Sequence, residues 1–196
     1  MIASAKIGLI VLAAGLSRRM GGPNKLLRPY RGAPLLAHAL SAVHEIDFAA
    51  RVVVTGRDAG EIEKVAASYG FRCVHNARYM EGLGTSIAAG SLALSPDVDA
   101  LFVALSDMPH IAASDYLALA SKLEPRAIAA PVYAGARGHP VLFCASYLGE
   151  LGALAGDEGA RALLKRHAPL IIHVKTENPG VLRDIDTPQD FSDCPA

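Results

Sequence analysis

The stretch Leu12-Ala13-Ala14-Gly15-Leu16-Ser17-Arg18-Arg19-Met20-Gly21-Gly22-Pro23-Asn24-Lys25 has the residue types of an anion cradle. Small side chains at 13–15 let backbone N–H groups approach a ligand, while Arg19 and Lys25 add fixed positive charge. It is neither of the two common phosphate loops. A Walker loop places Ser or Thr after its Lys to hold magnesium, whereas Leu26 follows Lys25 here. The dinucleotide fingerprint Gly-x-Gly-x-x-Gly at the start of a helix is also missing, which weakens a dehydrogenase reading.

Two acidic elements could complete such a site. Asp107, in Ser106-Asp107-Met108-Pro109, stands where a predicted strand ends. A carboxylate there can share a cation with phosphates in the first loop, although the same residue also suits a turn or cap. In Asp184-Ile185-Asp186-Thr187-Pro188, alternation along a strand would turn Asp184 and Asp186 to one face. Asp186 is the expected ligand of the pair; its plainer role is to lead into Thr187 as an N-cap.

Gly82-Leu83-Gly84-Thr85-Ser86 opens a helix whose first amides lack partners, a seat for nucleotide groups that any capped helix shares. Arg137-Gly138-His139-Pro140 and Gly156-Asp157-Glu158-Gly159-Ala160-Arg161 add polar groups further on. Asp157 reads equally as an N-cap, and His139 as a hydrogen-bonded loop histidine. The other histidines form no metal spacing.

These groups need a frame, and the hydrophobic pattern supplies one. Strands are predicted at 7–13, 51–55, 71–75 and 101–105, alternating with helices at 34–46, 59–69, 85–94 and 114–123. That alternation means right-handed βαβ units and a mostly parallel sheet. Past residue 127 the pattern changes. Strands at 127–132 and 140–143 flank a turn at 135–138, a small antiparallel excursion, and a helix at 158–167 precedes strands at 170–175 and 181–185. Thr187 then starts a short helix, with Pro188 at its first position and Asp190 closing a capping-box-like pattern. The expected fold is α/β, one three-layer Rossmann-like domain over residues 1–196.

Composition narrows the partners. Of 196 residues, 52% are hydrophobic and 19% charged, enough for a well-buried core. The formal net charge is zero, which argues against a nucleic-acid binder that works by phosphate neutralisation. Residues 1–44 nevertheless carry Lys6, Arg18, Arg19, Lys25, Arg28 and Arg31 and no acid, which suits a small polyanion. Cys73, Cys144 and Cys194 are odd in number and far apart, so neither a disulfide framework nor a zinc site is indicated, and a reducing cytoplasm is expected. The apolar run at 7–16 carries internal glycines and leads into Arg18-Arg19, so it reads as a buried strand and its turn, not a signal core. No run is long enough to span a bilayer.

Leu-Ala-Ala-Gly-x-Ser-x-Arg-Met-Gly with a following Lys resembles the nucleotidyltransferases that build molybdenum cofactor dinucleotides, and most of all their cytidylyltransferase branch. Ser106-Asp107-Met108-Pro109 is similar to that family's Gly-Asp-Met-Pro, whose aspartate binds magnesium; Ser106 replaces the Gly. Asp184-Ile185-Asp186-Thr187-Pro188 resembles its second metal element, and Gly82–Ser86 its contact with base and ribose. Arg137-Gly138-His139-Pro140 and the segment around Asp157 resemble elements of the acceptor side, with Ala136 in place of a usual Arg.

The resemblance implies Mg2+ held by Asp107 and Asp186, and catalysis by Arg19, Lys25 and Asp107. It implies nucleotide binding by Leu12, Ala13, Ala14, Gly15, Lys25, Gly84, Ser86 and Asp107, and acceptor binding by Arg137, His139 and Asp157. The implied substrates are CTP and molybdopterin, with a molybdoenzyme as client. A guanylyltransferase, a sugar- or polyol-phosphate nucleotidyltransferase and a non-catalytic carrier of molybdenum cofactor stay open. Lys25, Asp107 and Asp186 together favour an enzyme, since a carrier has no need of a metal site.

Overall fold

The computed structural model describes residues 5–15, 24–94 and 97–192. Along the chain the elements run β1 (Ile7–Ala13), the hairpin β2 (Pro29–Tyr30) and β3 (Ala33–Pro34), α1 (Leu35–Ser41), β4 (Ala50–Thr55), α2 (Ala59–Ala67), β5 (Arg72–His75) and α3 (Leu83–Leu92). They continue with β6 (Ala100–Leu105), α4 (Ala113–Ala120), β7 (Ile128–Tyr133), β8 (Ala136–Arg137), β9 (Val141–Cys144), α5 (Leu148–Gly152), α6 (Arg161–Arg166), β10 (Ile171–Lys175) and α7 (Pro188–Ser192).

Strand β1 is buried along its whole length because it faces a core on each side. Ile7, Leu9, Val11 and Ala13 pack with Leu35, Leu36 and Leu40 of α1, Ile62 and Ala66 of α2, and Leu119 of α4. Ile10 and Leu12 turn the other way, into a core shared with Ile87 of α3, Leu151 of α5, and Leu163 and Leu164 of α6. The period of two along a strand thus generates helix, sheet and helix layers. Each fully buried aliphatic or aromatic side chain here, such as Leu36 or Phe102, contributes about 1.5–3 kcal/mol of transfer free energy.

The main sheet has the order β10-β7-β9-β6-β1-β4-β5, with β8 paired to β7. Strand β1 is parallel to β4 and β6, β5 to β4, and β10 to β7. Two strands run antiparallel: β8 against β7, and β9, which lies inside the sheet between β6 and β7 rather than at the margin. Leu12 sits opposite Leu105, and Ala13 opposite Thr55. The loops that follow β1, β4 and β6 therefore leave one edge together, the edge where ligands of parallel sheets bind.

Three expectations need correction. The 181–185 strand does not form. A 3-10 turn at Pro179–Leu182 stands there, opened by Asn178, whose Oδ1 accepts from the Gly180 N–H at 2.8 Å. Pro179 has no amide to donate, and the carbonyl of Val181 is taken by the His139 N–H at 2.9 Å, so a ladder has nothing to pair with. The 34–46 helix is confined to α1, because Pro34 is used by the β2–β3 hairpin and the chain turns after Ser41. The 158–167 helix begins only at Arg161, since the preceding residues are spent in a loop laid on α3. Helix α5 and the hairpin lacked a sequence signal. Among the described residues no helix is long and apolar enough to cross a membrane.

Candidate active site

The first loop starts at the sheet edge with Ala14 buried and Gly15 exposed. Residues 16–23 lie outside the described residues, and with them Arg19, the expected second cation. From Asn24 the chain makes one 3-10 turn at Lys25–Leu27, held by the Leu26 N–H on Asn24 Oδ1 at 3.1 Å. Leu26 is anchored in the core, so Lys25 rides on a fixed turn with a side chain only 10% exposed.

Its ammonium reaches two segments far along the chain. Lys25 Nζ donates to Asp107 Oδ2 at 2.7 Å, to the Ile185 carbonyl at 2.9 Å, and to Asp186 Oδ1. Burial alone would lower the Lys25 pKa, but the Asp107 and Asp186 carboxylates outweigh it and hold it above the usual 10.5. Lys25 is therefore a permanent cation.

Asp107 is aimed by its neighbours. Ser106, buried, donates from Oγ to the Leu12 carbonyl at 2.6 Å and ties the end of β6 to the first loop. The Asp107 carbonyl accepts from the Ile185 N–H at 2.9 Å. Ile185 is fully buried, so Asp184 and Asp186 on either side turn outward together, as expected, without a strand. Asp190 Oδ2 then accepts from the Asp186 and Thr187 amides at 2.9 and 2.7 Å and from Thr187 Oγ1 at 2.8 Å, the predicted capping pattern at α7. Those donors lower the Asp190 pKa.

Asp107, Asp184 and Asp186 each offer a carboxylate oxygen within 4.8 Å of the others. Hard oxygen donors at that spacing fit a divalent cation such as magnesium or manganese. Among the described residues, three carboxylates against one ammonium leave two negative charges, a match for such an ion. The crowding is visible on Asp184, whose pKa is raised by desolvation and by the charges of Asp107 and Asp186, with Lys25 opposing.

A second group lies at the start of α3. Asn76, buried at the end of β5, donates from Nδ2 to Thr85 Oγ1 at 2.9 Å and to Ser86 Oγ at 3.0 Å. The Gly84 amide donates to the Gly156 carbonyl at 2.8 Å. A Cβ on Gly84 would come 2.6 Å from the Ala155 carbonyl oxygen, so glycine is required for the loop bearing Asp157 to lie there. Asp157 itself is exposed. Arg137 is exposed on β8, and His139, half-buried beside it, senses the charge of Asp107. Burial lowers the His139 pKa, against Asp107 and with Arg137, so the ring is neutral at pH 7; its buried Nδ1 has no hydrogen-bond partner among the described residues.

The structure thus brings Lys25, Asp107, Asp184 and Asp186 into one cluster, sets His139 beside it, and gathers Gly84, Ser86 and Asp157 into the second group. Sequence reasoning missed Asn76, although its place at a strand's carboxyl end was a signal. It also passed over the hydroxyl of Ser106.

A lysine threaded between carboxylates at a parallel-sheet edge, with oxygen donors spaced for a divalent cation, suits nucleotidyl transfer. Residues 9–170 match the MobA-like NTP transferase domain, and the chain belongs to that family. It is 30% identical to the molybdenum cofactor cytidylyltransferase of Escherichia coli (strain K12), over 94% of this chain and 93% of that protein. It is 32% identical to the purine catabolism protein PucB of Bacillus subtilis (strain 168), over 93% and 92%, respectively. Nicotine blue oxidoreductase of Paenarthrobacter nicotinovorans is 28% identical over 91% of each chain. Among solved structures, the Rv0371c homologue from Mycobacterium sp. strain JC1 superposes with a TM-score of 0.83 at 28% identity, covering 95% of this chain and 93% of that one. The manganese complex of Rv0371c from Mycobacterium tuberculosis H37Rv shares the fold, with a TM-score of 0.76 at 24% identity, over 96% and 97%.

Proposed function

We propose that the protein transfers CMP from CTP to the terminal phosphate of molybdopterin, the molybdenum cofactor, releasing pyrophosphate and leaving a cytosine dinucleotide form. The observation that carries this reading is the meeting of Lys25 with Asp107 and Asp186, 82 and 161 residues further along the chain, at the edge where the first loop leaves the sheet. The 30% identity to the E. coli molybdenum cofactor cytidylyltransferase, over 94% of this chain, supports the choice of substrates.

The chemistry suits these residues. A phosphate nucleophile is already ionised at neutral pH, so no general base is needed. In-line positioning and neutralisation of negative charge carry the rate. Lys25 supplies a cation fixed before substrate arrives, and Arg19 is the second. The backbone of Leu12, Ala13, Ala14 and Gly15 lines the phosphates, with Gly84 and Ser86 toward base and ribose. Asp107 and Asp186 would hold Mg2+, with Asp184 beside them, and the bound ion would supply screening of the phosphate charge and polarisation of the reacting phosphoryl group. The manganese in the Rv0371c complex supports a divalent ion of this kind. Arg137, His139 and Asp157 take the acceptor, His139 as a neutral hydrogen-bonding ring. The product passes to a molybdoenzyme client in a reducing cytoplasm.

The test is purified protein with molybdopterin, Mg2+ and each NTP in turn, scored for pyrophosphate and dinucleotide. Transfer from CTP is expected. Transfer from GTP alone would make the protein a guanylyltransferase, and transfer only to a sugar or polyol phosphate would replace the acceptor. Tight molybdopterin binding without turnover would make it a carrier.

A further inference from the structure

Residues 176–186 carry Asp184 and Asp186 to the site, yet this arm belongs to no strand of the sheet. Something else must fix it to within a few tenths of an ångström. The contacts converge on Asn178. Its Nδ2 donates to the His110 carbonyl at 2.9 Å and to Asp115 Oδ2 at 2.7 Å, and its Oδ1 accepts from the Gly180 amide at 2.8 Å. The backbone partners fix the amide's orientation, since the carbonyl of His110 can only accept and the N–H of Gly180 can only donate.

Asp115 is itself buried, 5% exposed, at the start of α4. It also accepts from the Ala112 amide at 3.0 Å and from Thr176 Oγ1 at 2.9 Å, and Thr176 Oγ1 accepts from the Asn178 amide at 3.1 Å. Packing reinforces the bonds: a Cβ on Gly180 would come 2.4 Å from the His110 carbonyl oxygen, so the arm and the Asp107–His110 segment touch backbone to backbone. The same arm is gripped on its other side by the His139 amide on the Val181 carbonyl.

We infer that Asn178 is a positioning residue for the metal site: it locks the arm bearing Asp184 and Asp186 to the segment bearing Asp107, so that the three carboxylates are arrayed before the ion arrives. The inference rests on the proposed divalent-metal site. It is independent of which nucleotide or acceptor is used. The side-chain bonds of Asn178 go to His110, Asp115 and Gly180, not to the three carboxylates of the cluster. Its contribution is geometric, and the sensitive quantity is metal affinity rather than maximal turnover. Groups bonded directly to metal ligands are typically worth about 10–100-fold in metal affinity; Asn178 acts one step further out, through the backbone, so the low end of that range is expected.

The test is Mn2+ binding in the presence of CTP, followed by electron paramagnetic resonance, on wild type, Asn178→Asp and Asn178→Ala. Asn178→Asp preserves shape and the Gly180 bond but sets a carboxylate oxygen against Asp115 and the His110 carbonyl. It should weaken Mn2+ binding by about 10-fold or more, with turnover at saturating metal restored to near the wild-type value. Hydrogen exchange at the Ile185 amide, bonded to Asp107, should speed up in the metal-free variant. If that variant fails to fold, Thr176→Val carries the same readouts with a smaller shift, since it removes the hydroxyl but leaves the amide on His110.

Unchanged Mn2+ affinity with a lowered melting temperature would make Asn178 merely structural and overturn the inference. Wild-type Mn2+ binding that is lost in Asp107→Asn, without CMP transfer to molybdopterin, would overturn the proposed substrates and leave Asn178 standing. A wild-type chain that binds no Mn2+ would overturn both.

Discussion

Replacing Lys25 by methionine keeps an unbranched side chain one atom shorter and removes its charge. The ammonium sits 2.7 Å from Asp107 with its side chain only 10% exposed. At an effective dielectric constant of about 20, that contact has a gross Coulomb energy of about 6 kcal/mol, of which burial of the charges offsets a large part. Two effects follow, and they separate experimentally. During transfer, negative charge grows on the departing pyrophosphate, and one preorganised charge at such a position is worth about 10²–10³-fold in turnover, or about 3–4 kcal/mol. In the resting protein, Asp107, Asp184 and Asp186 face one another without their ammonium, so the variant should melt lower in EDTA and gain more from Mg2+ than wild type does. The pH dependence has a definite sign. Because the Lys25 pKa is raised above 10.5 in the folded chain, its stabilisation is complete below that value and is lost as pH rises through the folded pKa. Wild type should therefore lose stability above about pH 10.5 by a component that Lys25→Met lacks. The assay is pyrophosphate release at saturating Mg2+ and molybdopterin across CTP concentrations, with thermal melts alongside. Wild-type turnover with only a raised KM for CTP would refute the catalytic role and leave Lys25 a uniform binding contact.

Asp107→Ala should abolish transfer and Asp186→Ala should impair metal binding in the same way, with circular dichroism unchanged; normal turnover in Asp107→Ala would sink the metal assignment. Asp184→Asn should raise the melting temperature of metal-free protein at pH 7, because the raised pKa of Asp184 means that its ionised form is a strain on the fold above that pKa. The gain should shrink when Mg2+ is added, and an equal gain with and without the ion would exclude Asp184 from the cation's surroundings. Ala14→Gly should relax a preference for CTP over GTP without reversing it. Since Ala14 is only 5% exposed, its methyl group belongs at the low end of the roughly 1–3 kcal/mol that one such group discriminates. Competition kinetics with both nucleotides measures this, and a wild-type preference for GTP would refute it.

How far these residues were readable before folding depends on what holds each of them. Lys25 and Asp107 flank buried elements whose period is plain in the chain, β1 before the first loop and β6 before Ser106, so their arrival at one sheet edge follows from parallel topology. The capping pattern of Thr187 and Asp190 was equally local and formed as expected. The arm between Lys175 and Asp186 was not readable in the same way. Val181 and Ile185, four residues apart and both buried, have a spacing that a strand would also give, but Pro179, Gly180 and the side chain of Asn178 draw the backbone into a 3-10 turn. The bonds that win this competition, from Asn178 to His110 and Asp115 and from Val181 to His139, span 68, 63 and 42 positions, and no window of local sequence contains them. The same holds for Gly84, where a pattern that looks like a bare helix start proves to be the bed for the Ala155–Asp157 loop. Outward pairing of Asp184 and Asp186 nevertheless came through correctly, because it depends only on burying the residue between them. A strand buries every second side chain by pleating; here a single isoleucine in the core does so, and the two carboxylates reach Lys25 and Asp107 by the same logic in a different backbone.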